Sequence, residues 1–188
     1  MAPNRRRIER EMFARMKNEI VAQDGNIPTD EEVATIKALL ALPHRTEEDW
    51  CVIKDIFDRR DLICMEPAEE TSDTEVIEHF MIKDGRLCAF TNLQDAADYI
   101  KENVPKDRNG LSFQIGTRPF LEAVEIADDQ SMELLIDLPT KERTTEKYMS
   151  YKDGQLTAVM PIKSAMNTAL RRLMKLSKDA RREVNDER

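Results

Sequence analysis

Glycine and aromatic residues are scarce in this chain of 188 residues. Only 5 residues are glycine, 5% are aromatic and one is tryptophan. A β-sandwich rich in tight turns needs more glycine, and a nucleic-acid surface built on base stacking needs more aromatic side chains. The composition therefore argues against both classes.

Long apolar runs and a disulfide framework are also missing. The apolar runs span only a few residues, whereas a membrane helix needs about 20. No apolar segment follows the basic start, so we expect neither a secretory signal nor a membrane anchor. The three cysteines, Cys51, Cys64 and Cys88, are odd in number and widely spaced. They favour buried thiols in a reducing cytoplasm rather than a disulfide framework or a zinc site. We expect no metal site and no cofactor.

Charged residues make up 35% of the chain and are unevenly distributed along it. Residues 1–20 carry a net charge of +3 and residues 163–188 carry +4, so the remainder carries −15 within a total of −8. An acidic centre repels nucleic acid. Nucleic-acid binding through Arg5–Arg10 and Arg171–Arg182 is therefore the least favoured of the functional alternatives.

Apolar periodicity predicts three helices before any strand. Apolar residues at helical spacing indicate an amphipathic helix over Arg5–Ile20. Thr29–Glu32 has the form of a capping box, in which a hydroxyl and a carboxylate satisfy two otherwise free amides at a helix start. Thr46–Asp49 begins the next predicted helix. We therefore expect residues 1–60 to form an N-terminal helical segment.

Residues 61–161 have the pattern of a mixed α/β core. Short apolar runs at Leu62–Met65, Leu111–Ile115 and Met132–Leu138 predict strands, and helical periodicity after Leu93 and Phe120 predicts helices between them. We expect an α+β (mixed α/β) fold with a central mixed sheet of about six or seven strands and packed helices. A long C-terminal helix with a charged tail, residues 162–188, is expected to close the fold.

One hairpin motif occurs twice in this core. Asp84-Gly85 and Asp153-Gly154 are strong hairpin dipeptides, because a type I′ turn needs positive φ at both central residues. Lys152–Val159 matches Lys83–Phe90 at five of eight positions. We expect two hairpin-then-helix units in similar surroundings, although one matching pair does not establish a duplication.

The stretch from Leu87–Phe90 through Thr91-Asn92 to the following elements resembles the N-terminal domain of the SseB family. In that family an apolar strand ending in Phe-Thr precedes a helix, a middle strand and helix, and a strand that leads into Asn-Pro. Phe90-Thr91 matches the first feature. Asp137-Leu138-Pro139 occupies the position of the last feature, but it does not contain the Asn-Pro-Gly of the family. The resemblance covers about residues 60–139. It implies a mixed α/β fold in a bacterial cytoplasm and brings no catalytic residues.

Candidate catalytic residues are few. Neither His44 nor His79 has a cysteine or carboxylate at ligand spacing, and Cys88 lies within a strand without a local base. The sequence contains no phosphate-binding loop, dinucleotide fingerprint, nucleophile elbow or zincin helix. Enzymatic activity therefore stays open, but the pattern favours its absence.

The strand-to-helix turns offer the best candidate ligand site. They carry Thr91-Asn92 and Gly116-Thr117-Arg118. If Leu87–Phe90 and Leu111–Ile115 run parallel, both turns lie at one sheet edge, where helix amides and Arg118 would bind a carboxylate or phosphate. Alternatively, the threonines only cap helices and Arg118 bonds to a local aspartate.

The leading functional hypothesis is a non-enzymatic protein-interaction or regulatory module of the bacterial cytoplasm. It would bind a protein partner, or self-associate, through its amphipathic terminal helices. The first alternative is a small-molecule or anion-binding sensor or enzyme that uses the two strand-to-helix turns. The second is weak nucleic-acid binding through the basic terminal helices.

Overall fold

The computed structural model describes residues 5–22, 25–67, 76–77, 80–83, 85–103, 106–107, 110–111 and 113–161. The predicted C-terminal helix and tail, residues 162–188, lie outside the described residues. The helices are α1 (Arg5–Ala22), α2 (Asp30–Ala41), α3 (Glu47–Phe57), α4 (Leu93–Asn103) and α5 (Phe120–Asp129). The strands are β1 (Asp61–Pro67), β2 (Val76–Ile77), β3 (Phe80–Lys83), β4 (Arg86–Ala89), β5 (Lys106–Asp107), β6 (Gly110–Leu111), β7 (Phe113–Pro119), β8 (Glu133–Ile136), β9 (Tyr148–Lys152) and β10 (Gln155–Val159).

The predicted capping box at Thr29 is confirmed, and the helix predicted to begin at Thr46 has a capping box as well. At the start of α2, the Thr29 hydroxyl accepts a hydrogen bond from the Glu32 amide at 3.3 Å, and the Glu32 carboxylate accepts one from the Thr29 amide at 2.8 Å. Thr46 and Asp49 make the same reciprocal pair at the start of α3. Local side-chain chemistry therefore fixes where these two helices begin.

The main sheet has the strand order β10-β9-β8-β4-β3-β2. Four of its five pairings are antiparallel, and the pairing of β4 with β8 is parallel. The hairpins β3–β4 and β9–β10 flank β8 on its two sides. The parallel pair at the centre sets the carboxyl ends of β4 and β8 at the same edge.

The predicted central sheet is wrong in its membership: the main sheet has six strands, but β1 and β7, which we expected within it, lie outside it. Strands β1 and β7 form a separate antiparallel ribbon that pairs Asp61 with Pro119 and Pro67 with Phe113. Another two-stranded sheet, β5–β6, also stands apart. The ribbon joins the main sheet at an isolated bridge, in which the amides of Ile63 and Phe90 bond to each other's carbonyls. The prediction failed because β4 takes β8 as its parallel neighbour rather than β7.

Two apolar clusters lie on opposite faces of the strands. The continuous apolar run of β1 divides between them: Leu62 and Cys64 enter one cluster, and Ile63 and Met65 enter the other. Helices α2, α3 and α5 cover the first cluster, and α1 and α4 cover the second. A strand buried on both faces needs apolar residues at successive positions, which explains the run.

The repeated hairpins share a turn but not an environment. Asp153 and Gly154 have φ of 50° and 78°, and Gly85 has φ of 72°, as the Asp-Gly turns require. However, the residues of β4 from Leu87 onwards are buried, whereas β10 is a partly exposed edge strand. The expectation of similar surroundings is therefore wrong, and the helix expected after the second hairpin lies outside the described residues.

The close approach of Gly25 to β7 is testable. A Cβ atom at Gly25 would lie 2.8 Å from both Cγ2 and Oγ1 of Thr117. Rotation of the branched Thr117 side chain cannot clear both atoms, so Gly25→Ala should lower the free energy of unfolding by about 1–3 kcal/mol. In a Thr117→Ala background the same substitution should cost less, as urea unfolding of the four proteins will show. An equal loss in both backgrounds would contradict the contact.

Candidate functional site

The carboxyl ends of β4 and β8 bring together residues that lie far apart in the chain. Ala89 and Ile136 are paired at the ends of these strands. The Asp137 amide then donates to the Ala89 carbonyl at 3.0 Å, which extends the contact by one residue. Such an edge is where open α/β sheets present ligand-binding groups. It is therefore the candidate site.

Thr91 and Asp137 form a two-point contact at this edge. The Thr91 amide donates to Oδ1 of Asp137 at 2.8 Å, and the Thr91 hydroxyl lies 2.7 Å from Oδ2. Thr91 is completely buried. Asp137 has φ of 60°, a left-handed conformation that aspartate adopts more readily than most residues. Both carboxylate oxygens are thus engaged within the chain.

Asn92 supplies the cap that begins α4. Its side-chain oxygen accepts a hydrogen bond from the Asp95 amide at 2.9 Å. The predicted cap at Thr91-Asn92 is thus carried by Asn92, whereas Thr91 bonds to Asp137.

Asp95 is the most buried charge of the site. Its side chain is 5% exposed and lies 2.9 Å from Nζ of Lys37 on α2. It also forms an ion pair with Arg143, which follows β8 in a short 3-10 turn, Lys141–Arg143. Arg143 lies 3.8 Å from Asp98 and 3.5 Å from Glu146 as well. Asp95 therefore links α2, α4 and the β8–β9 connection.

The two carboxylates of the site, Asp95 and Asp137, have pKa values displaced in opposite directions. Burial raises the pKa of Asp137 to about 6, and the negative charge of Asp95 adds to this effect, against the hydrogen bonds from Thr91. Burial also raises the pKa of Asp95, but hydrogen bonds from Asn92 and Lys37 and the charges of Lys37 and Arg143 outweigh it. The pKa of Asp95 is therefore lowered overall. Asp137 is the group that changes charge near neutral pH.

The second predicted turn is a strand. Gly116, Thr117 and Arg118 lie within β7 and pair with Cys64, Ile63 and Leu62 of β1. Because Ile63 also bridges to Phe90, β1 separates Thr117 from the end of β4 by two strand spacings, about 10 Å. The predicted shared edge with Thr91-Asn92 is therefore wrong.

The side chains of this second group have local contacts. Arg118 pairs with Glu122 four residues later on α5, so its partner is local, as the alternative expected, but it is a glutamate rather than the expected aspartate. Thr117 faces Gly25. The structure thus brings Thr91 and Asn92 to the candidate site and leaves Gly116, Thr117 and Arg118 outside it.

Four residues of the site escaped prediction from the sequence: Lys37, Asp95, Asp137 and Arg143. Asp137 carried the only usable signal, since it ends the strand-like run before Leu138-Pro139. Placing β8 beside β4 would have brought it to Thr91. Lys37 and Arg143 lie on a helix and in an irregular connection, where nothing distinguishes them from solvent-exposed cations.

The other candidate groups give no metal centre among the residues that the structure describes. Within those residues, no group of three or more His, Cys, Asp or Glu could hold a metal ion. His44 is exposed, and His79 lies outside the described part of the chain. Cys88 is buried, with its sulfur 3.9 Å from the Tyr99 hydroxyl.

The outer edge of the main sheet is a second surface of interest. β10 pairs with β9 on one side and, among the described strands, has no neighbour on the other. Gln155 and Thr157 are exposed, and Met160 is 38% exposed. No charged residue occurs from Gln155 to Met160, although 35% of the chain is charged.

Comparison with other proteins adds no assignment. No family model, no curated protein and no solved structure matches the chain. The resemblance to the SseB family therefore stays a prediction. Of the helices described, none combines the length and the apolar content needed to cross a membrane.

The importance of Asp95 can be measured against a neighbouring carboxylate. Asp95→Asn should lower the free energy of unfolding at pH 7 by about 3 kcal/mol, because Lys37 and Arg143 both lose their buried carboxylate partner. The loss is limited because Lys37 is 41% exposed. Asp98→Asn, the matched control, removes a charge that is 35% exposed and should cost less than about 1 kcal/mol. Equal losses in urea unfolding would show that Asp95 does not organise the cluster.

Proposed function

We propose that this protein is a non-enzymatic interaction module that binds an extended segment of a protein partner along β10. The observation that carries the proposal is the uncharged outer edge of the main sheet. Natural sheet edges are usually protected by charged side chains, proline or a bulge, because free backbone groups attract another strand. Residues Gln155–Met160, which include β10, contain neither a charged side chain nor a proline, and the next proline is Pro161.

The hairpin geometry identifies the backbone groups available to a partner. A two-residue turn joins Lys152 to Gln155, which are paired. Such a pair exchanges both backbone hydrogen bonds, so Gln155, Thr157 and Val159 bond to β9 and the alternate residues point away from it. The N–H and C=O groups of Leu156 and Ala158 therefore face the edge of β10 that no described strand covers.

The side chains of β10 define the chemistry of the partner. Leu156 and Ala158 pack against the core beneath the sheet, whereas Gln155 and Thr157 are exposed on its other face. An added strand would continue both faces, so the partner segment should alternate apolar and polar side chains and lack charge. Backbone hydrogen bonds supply affinity in this binding mode, and alternate side chains supply specificity.

The polar groups at the carboxyl edge of β4 and β8 are engaged by contacts within the chain. Both oxygens of Asp137 bond to Thr91, and Asp95 is paired with Lys37 and Arg143. Groups that satisfy one another inside the chain are not presented to a substrate. This network is best explained as one that orders the fold.

Partner binding through the terminal helices has less support than the β10 edge. In α1, Met16 and Ile20 are buried in the core cluster shared with α4, although Phe13 and Val21 remain exposed. The C-terminal segment and the side chains of the basic residues Arg5–Arg10 lie outside what the structure describes. A cytoplasmic location, as the SseB resemblance implies, stays part of the proposal and accords with three cysteines that form no disulfide.

One observation favours a second candidate, a small-molecule sensor or enzyme at Thr91-Asn92. Asp95 and Asp137 have pKa values displaced in opposite directions, a pattern that acid–base sites also show. A ligand of that site binds only the folded chain and must raise its melting temperature. Thermal-shift screening of metabolites, repeated with Asp137→Asn, separates this candidate from binding at β10.

Loss of one edge amide tests the proposed function. Ala158→Pro removes the outward N–H without removing a bond to β9, and proline is tolerated at strand edges. Uncharged peptides selected against the full chain should shift the amide signals of Leu156 and Ala158 in nuclear magnetic resonance spectra. Their affinity should fall at least about tenfold in Ala158→Pro, the equivalent of one lost hydrogen bond.

Two controls make this test decisive. Ala158→Ser keeps the amide and should retain peptide affinity, whereas Thr157→Lys places a charge on the edge and should weaken it. Circular dichroism establishes that each variant is folded. Peptides that bind elsewhere, or that bind Ala158→Pro as tightly as the unmodified chain, would exclude the β10 edge as the binding surface.

A further inference from the structure

Residues 137–147, here called the strap, connect β8 to β9 and contact α4 and the end of α2. At one end, Asp137 bonds to Thr91 and to the Ala89 carbonyl. In the middle, the Lys141 amide donates to Glu102 at 2.8 Å. At the other end, Nζ of Lys147 donates to the Leu42 carbonyl at 2.7 Å.

Polar contacts dominate the attachment of the strap. Arg143 pairs with Asp95 near its centre, and Thr140 is buried. Leu138 is the residue of the strap that packs, partly buried, against an apolar cluster. Segments with few apolar contacts open locally at a lower free energy than core strands. The charges beneath the strap therefore have a large influence on whether it stays closed.

The surroundings of Asp137 are well defined. From α4, Asp95 faces it with a like charge, and from α2, Lys37 faces it with an opposite one. Arg143 of the strap is engaged by Asp95, with Asp98 and Glu146 around it. From the end of β4, Thr91 contributes its amide and hydroxyl.

We propose that the strap is a proton-controlled latch, which protonation of Asp137 fastens against α4 and ionisation of Asp137 loosens. The two contacts with Thr91 persist in both states. When Asp137 is ionised, the Thr91 hydroxyl donates to Oδ2. When Asp137 is protonated, its own O–H donates to the Thr91 oxygen across the same 2.7 Å. Protonation removes the repulsion between Asp137 and Asp95 without the loss of a hydrogen bond.

The direction of the pH dependence follows from the displaced pKa. When the strap is closed, Asp137 has a pKa of about 6. When the strap opens and Asp137 reaches water, its pKa returns to the ordinary value of 3.8. The closed strap thus binds the proton more tightly, so this stabilisation is complete below pH 3.8 and is lost as pH rises to about 6. The lowered pKa of Asp95 acts below pH 3.8, outside this range.

Amide hydrogen exchange of the full chain tests the latch. Protection of the Thr91 and Asp137 amides, corrected for intrinsic exchange, should be about tenfold greater at pH 5 than at pH 7.5. In Asp137→Asn the protection should be the same at both pH values, because the side chain stays neutral. Asparagine also accepts the left-handed backbone at this position.

Asp153→Asn is the matched control. Asp153 also has a left-handed backbone, with φ of 50°, but it is exposed at the β9–β10 turn. This variant should keep the tenfold dependence of the Thr91 and Asp137 amides. If the pH dependence of protection disappears in both Asp137→Asn and Asp153→Asn, its loss does not result from the position of Asp137 in the strap.

Three results would overturn the latch. The first is equal protection of the Thr91 amide at both pH values in the unmodified chain. The second is a pH dependence that persists in Asp137→Asn. The third is a parallel change at the Leu135 amide in the main sheet, which would indicate global unfolding. If Asp137→Asn does not fold, the unmodified chain still decides, because its protection must level off above about pH 6.

Discussion

The parallel pairing of β4 with β8 is the constraint on which the rest of the described structure depends. A parallel neighbour requires a long crossover, and here the crossover contains α4, the ribbon strand β7 and α5. Those elements cover both faces of the strands, so two apolar clusters form rather than one. The same pairing sets Thr91 and Asp137 side by side at the carboxyl edge.

The buried carboxylate of Asp95, next to that edge, needs compensating positive charges, and elements distant in the sequence supply them. Asp95 loses most of its hydration on burial, and a buried charge without partners is strongly unfavourable. Lys37 and Arg143 supply the compensating charges from α2 and from the strap. Ion pairing thereby joins the N-terminal helices, α4 and the β8–β9 connection. Burial and the charge of Asp95 raise the pKa of Asp137, which forms no ion pair with the described residues, whereas its partners lower the pKa of Asp95.

Features set by neighbouring residues could be predicted from the sequence, whereas the choice of strand partner could not. Thr29 and Thr46 act on amides three residues away, and Asp153-Gly154 sets its own turn. Gly116–Pro119 has the composition of a turn, but antiparallel pairing with β1 holds it extended. Whether β4 lies beside β7 or β8 depends on packing across the whole domain. The contribution of Lys37 to the site depends on that choice, so no local pattern revealed it.

The burial of Asp137 against Asp95 is the direct consequence of the β4–β8 arrangement and can be measured atom by atom. A pH titration that follows the side-chain carboxyl carbon of Asp137 by nuclear magnetic resonance, assigned with the Asp137→Asn variant, reports its pKa in the folded chain. A midpoint of about 6 is predicted, with Asp95 titrating below 3.8. A midpoint for Asp137 at the ordinary value of 3.8 would contradict the buried pair and the arrangement of strands that creates it.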